Sequence, residues 1–93
     1  MSITFQITRL AAGIYSADVL SGQFPVTDPT MHSGIADAIL HLAQDIPDGF
    51  ARFVEVRYGV VSAGTWAIDD LSEQAEAIAG RLASLARAVG DLV

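Results

Sequence analysis

A chain of 93 residues fits one domain, 1–93, and leaves no room for a second. Apolar residues make up 52% of it and charged residues 17%, a globular composition far from the disordered class. The net charge is −6 with no lysine, so nucleic-acid phosphates and anionic membrane surfaces repel the chain, and the absence of cysteine removes disulfides, thiolate zinc sites and cysteine nucleophiles.

The opening "SITFQITRL" alternates Ile3, Phe5 and Ile7 with Ser2, Thr4, Gln6 and Thr8, the period of a half-buried strand. It lacks a basic start followed by an apolar run, so it does not read as a signal peptide. After "AAG", with Gly13 at the turn, "IYSADVL" places Tyr15, Ala17 and Val19 on one side and Ser16 and Asp18 on the other. The two segments predict a hairpin.

Gly22, Pro25 and Pro29 make "SGQFPVTDPT" irregular. Asp28 followed by Pro29 is a helix-start pattern, with Ser33 as a rival cap because Gly34 weakens the first turn. Met31, Ile35, Ala38, Ile39, Leu42 and Ile46 then recur at helical spacing until "IPDG". "ARFVEVRY" alternates again, with Val54, Val56 and Tyr58 opposed to Phe53, Glu55 and Arg57. "VVSAGTWAI" predicts a return strand with Trp66 and Ile68 inward, although Gly64 among small residues also suits a loop.

"DDLSEQ" opens the last helix, with Asp70 and Glu73 spaced as a capping box and Asp69 as the rival cap. Leu71, Ala75, Ile78, Leu82, Leu85 and Val89 lie within about 80° of helix arc. Such a stripe covers a sheet or forms a coiled-coil seam. Each clear strand has one polar face and needs a cover, which favours the intramolecular use. The order ββαββα then predicts an α+β two-layer sandwich, an antiparallel sheet with both helices on one face.

Little in the chain points to catalysis. His32 and His41 are nine residues apart and, on one helix, face opposite sides, so they are not expected to share a metal. Asp37, His41 and Asp45 step by four, the spacing of solvated polar pairs. Ser33 beside His32 makes no triad by sequence, and neither a G-x-S-x-G elbow nor a phosphate-binding glycine motif occurs. No catalytic residue, cofactor or metal site is expected. Tyr15, Tyr58 and Trp66 share the phase of the core residues, which makes them buried aromatics rather than a base-stacking platform.

The segment "AAGIYSADV", followed by a loop and a helix, resembles the start of HicB-type antitoxins over at most the first half of the chain. That family's proline- and glycine-containing signature is not evident in "LSGQFPVTDP", and generic hairpin features carry the likeness, so it does not amount to membership.

The expectation is a small non-catalytic cytoplasmic protein that binds a macromolecular partner, as inhibitors of the anti-CRISPR or antitoxin kind do. A protein partner is expected, including one with a basic surface, and direct nucleic-acid or membrane binding is not. The acids are spread along the chain and several sit at helix starts, so wholesale nucleic-acid mimicry is a minor branch. Phe53, ringed by Glu55 and Arg57, is the candidate anchor, joined by Asp18, Gln23 and Phe24. The alternatives are a homodimeric accessory subunit and a small enzyme or ligand-binding domain of unrecognised type.

Overall fold

A computed structural model describes residues 2–22, 24–47 and 49–92. Strands β1 (Ser2–Ala11) and β2 (Ile14–Ser21) pair antiparallel as the expected hairpin, with Phe5 opposite Val19 and Ile7 opposite Ala17. The chain then runs back along β2 in two short pieces, β3 (Phe24–Pro25) and β4 (Thr30–His32). Helix α1 spans Ile35–Asp45, β5 Phe53–Tyr58 and β6 Val61–Ala67, and a 3₁₀ turn at Ile68–Asp70 leads into α2, Leu71–Leu92. The sheet order is β3-β2-β1-β5-β6, with β4 beside β2 further along.

The architecture is the expected α+β sandwich, with one correction: the sheet is mixed. β1 and β5 lie side by side and parallel, with Ile3 opposite Val54 and Phe5 opposite Val56. The cause is the stretch 24–32. Because it retraces β2, the chain reaches the start of α1 at the opposite end of the sheet from where β2 finished. α1 then carries it back, and β5 sets out in the direction of β1.

The same stretch corrects the start of α1. Asp28 and Pro29 lie outside regular structure between β3 and β4, and Met31 and His32 belong to β4, opposite Ser16 and Tyr15. The helix begins one residue after Gly34, whose backbone is extended and which supplies no side-chain cap; its carbonyl accepts from the amide of Ala38 at 3.0 Å. Pairing with β2 satisfies the backbone of 30–32 more fully than an isolated first helical turn, whose amides have no internal acceptors.

The return strand exists. Gly59 turns the chain at φ 58°, the left-handed region that glycine enters without strain. Further along, Glu55 stands opposite Thr65 and Arg57 opposite Ser62, so Ala63 and Gly64 together face Val56. This is a β-bulge, with Gly64 at φ 90°. It switches the alternation of β6: Val61 and Ala63 are buried before it, and Trp66 turns inward after it, donating Nε1–H to the Ala63 carbonyl at 3.1 Å.

Ile3, Phe5, Ile7, Ala17, Val19, Val54 and Val56 form the floor of the core, and Ala38, Ile39, Leu42, Leu71, Ala75, Ile78 and Leu82 its roof. Tyr15 and Tyr58 pack against it with ring centroids 6.1 Å apart. The stripe on α2 therefore covers its own sheet. Burial declines towards its end: Leu85 is half-buried against the core and Val89 is 37% exposed. Asp69 and Asp70, the expected caps of the last helix, lie inside the 3₁₀ turn that precedes it, and that turn starts at Ala67 with no side-chain cap. No helix among the described residues is long and apolar enough to cross a membrane.

Burial ranks the residues. Phe5 is fully buried between two strands and the helices, and Phe5→Ala is expected to cost about 3–5 kcal/mol in urea denaturation. Val89→Ala, on the same apolar stripe as Leu82 but exposed at a groove beside Thr8, Tyr58 and Val61, is expected to cost under about 1 kcal/mol.

Candidate functional site

The register aligns the polar face of the sheet in rows that run across the strands, on the side away from both helices. In the middle row Asp18 lies opposite Gln6, Gln6 beside Arg57, and Arg57 opposite Ser62. The next row runs Pro25, Leu20, Thr4, Glu55 and Thr65. Beyond it Phe53 pairs with Ala67, and at the other end Met31 pairs with Ser16.

Four of the six expected contact residues meet on this face: Asp18, Phe53, Glu55 and Arg57. Phe53 is 53% exposed, so the loop after β2 does not cover it. Phe24 is separate. It pairs with Ser21, which shares the side of Val19, and is 78% exposed on the β3 edge. Gln23 lies outside the described residues.

The charges on this face are partly tied to one another. Glu55 accepts a hydrogen bond from the Ser62 hydroxyl at 2.7 Å and lies 3.5 Å from the Arg57 guanidinium. Gln6 donates to the Gly59 carbonyl at 3.1 Å. Among the described residues Asp18 makes no side-chain hydrogen bond or ion pair, which leaves it the carboxylate of the face most available to a partner. This row geometry is what an alternating sequence encodes. The neighbours across strands follow from register and direction, which it does not show.

The structure also corrects the reading of the histidines. His32 is on β4, not on α1, and its ring meets that of His41 edge-on at a centroid distance of 5.0 Å. Asp37 lies between them, 3.6 Å from His32 Nδ1 and 3.5 Å from His41 Nε2. The hydroxyl beside His32 belongs to Thr30, with Oγ1 2.7 Å from Nε2, and not to Ser33. Helical periodicity could not reveal this cluster, because it runs through a strand that the Asp28–Pro29 pattern disguised as a helix start.

The chain matches no known family model, no curated protein and no solved structure.

On the open face, Glu55→Ala removes the acceptor of Ser62 and the counter-charge of Arg57, and is expected to cost up to about 1 kcal/mol because both partners touch solvent. Asp18→Ala, with nothing tied to it, is expected to stay within about 0.5 kcal/mol. Paired urea melts check both, and a larger loss at Asp18 would show that its carboxylate serves the fold.

Proposed function

We propose that this chain is a non-catalytic interaction protein that docks the open face of its sheet on a protein partner. The carrying observation is the one-sided sandwich: both helices cover one face, and the other presents Asp18, Glu55 and Arg57 beside exposed Phe53. An exposed aromatic ring bordered by charges is the composition of a contact anchor. The net charge of −6 favours a partner with cationic groups, which would meet Asp18 first. A stable interface takes about 800 Å² from each side, more than a sheet face of roughly 20 by 20 Å offers in projection. The exposed Met31, opposite Ser16 at the rim of this face, would therefore join it. An inhibitor or adaptor that works by occupying a partner's surface fits this arrangement.

The test compares three forms of the chain immobilised in extract of its own host. The face variant carries Asp18→Lys, Phe53→Ala and Glu55→Lys; the control carries Glu73→Lys and Glu76→Lys on the exposed side of α2. A protein held by the wild type and the control but lost by the face variant supports the reading. A protein held equally by all three overturns the choice of face.

A second reading has its own observation. Among the described residues β6 pairs with one neighbour only, and its seven residues contain no proline. The opposite edge is broken into β3 and β4, with Pro25 and Pro29 along it. A free edge, interrupted only by the bulge at Ala63 and Gly64, suits pairing with a second copy into a homodimer. Light scattering across a range of concentrations decides this: a mass that rises to twice that of the chain supports it, and a constant monomer mass removes it.

A further inference from the structure

We propose that a groove between the last turns of α2 and the end of the sheet binds an aliphatic monocarboxylate, with its carboxylate on Arg9 and its tail along the valines. The groove lies at the end of the sheet where Gly13 and Gly59 turn the chain, and it is separate from the docking face proposed above. Its volume is about 380 Å³, within the range of roughly 300–1,000 Å³ typical of small-molecule sites. Arg9, Tyr58, Val60, Val61, Ala86 and Val89 line it. Val61 is buried, and Tyr58 and Ala86 pack against the core, so these walls are held by the fold. Val60 and Val89 stay 79% and 37% exposed, and an aliphatic chain laid against them removes that apolar surface from water.

The head group is chosen by Arg9. On β1, Ile3, Phe5, Ile7 and Arg9 share one phase, and Arg9 stands opposite Tyr15, which packs against the core. A guanidinium thus occupies the place where the alternation calls for the next apolar side chain. The ordinary roles of an arginine there are unfilled. Among the described residues Arg9 forms no ion pair, and it donates no hydrogen bond, including to the carbonyl end of α2. Its stem borders an apolar groove while its charge is unmatched.

A carboxylate supplies the missing partner, because the planar fork of arginine takes both carboxylate oxygens in parallel hydrogen bonds. One guanidinium matches one negative charge, which favours a monoanion. The net charge of −6 does not oppose this locally. Asp69, Asp70, Glu73 and Glu76 gather where α2 begins, at the far end of the sheet, and Arg87 follows Ala86 near the groove. An apolar track ending at an unpaired cation is complementary to an aliphatic acid at both of its ends.

The test adds decanoate to the full chain, followed by calorimetry and thermal melting. The expected result is saturable binding of one decanoate per chain and a raised melting temperature. Decanol, which has the tail without the charge, is expected to bind at least tenfold more weakly, and each carbon removed from decanoate to weaken binding by up to about fourfold. Arg9→Gln and Val89→Glu alter exposed side chains, and circular dichroism checks that each stays folded. Each is expected to weaken decanoate binding at least tenfold, whereas Asp18→Lys with Phe53→Ala and Glu55→Lys on the docking face leaves it unchanged. Absence of saturable binding overturns the proposal. Decanol binding as tightly as decanoate, or binding undiminished in Arg9→Gln, overturns the assignment of the head group. Binding undiminished in Val89→Glu overturns it as uptake elsewhere on the molecule. A dimer by light scattering that Val89→Glu converts to monomer also overturns it, since the groove is then filled by a second copy.

Discussion

The backbone pairing of Thr30–His32 with Tyr15–Ala17 determines the direction of every element that follows it. Three residues of edge strand place the chain at the far end of the sheet before α1 begins. A helix of eleven residues then spans about 16 Å, close to the length of a six-residue strand, and returns the chain to the end where β1 starts. β5 joins β1 in parallel, β6 folds back on it, and α2 has one remaining gap to cover. Without that edge strand α1 would start from the other end, and the same hydrophobic pattern would produce an antiparallel β1–β5 pair with a different set of cross-strand neighbours.

This explains which parts of the structure were legible in the sequence. Alternation located β1, β2 and β5 and the face each buries, because burying one side of a strand demands period two. The stripe on α2 was legible for the same reason. Direction was not, since neither hydrophobicity nor propensity records whether the partner strand runs the same way. β4 was hidden by competing signals: Asp28–Pro29 and the spacing from Met31 to Ile35 fit a helix, but pairing with β2 prevails for residues 30–32. In β6 the bulge at Gly64 breaks the alternation that would have marked the strand, and the parity switch that brings Trp66 inward is visible only in the pairing.

The candidate sites divide in the same way. Asp18, Phe53, Glu55 and Arg57 share a face because each occupies the solvent phase of its strand, and the pattern alone places them there. Their adjacency depends on β1 standing between β2 and β5. The group of His32, Asp37 and His41 depends wholly on tertiary structure, for it joins an edge strand to the helix that follows it. The two features lie apart: one is on the uncovered side of the sheet, the other is where β4 meets α1 on the covered side. A change in one can therefore be made and measured without disturbing the other.

The central position of β1 bears on how the molecule assembles. β1 is flanked on one side by its hairpin neighbour and on the other by a strand roughly fifty positions later, Ser2 standing beside Phe53. The hairpin can close locally within microseconds, but the middle of the sheet stays open until the second half of the chain arrives. During synthesis β1 thus carries an unpaired backbone edge, with Ile3, Phe5 and Ile7 bare on one face. The rate at which that edge is capped sets the interval in which the nascent chain is exposed to mispairing with other chains.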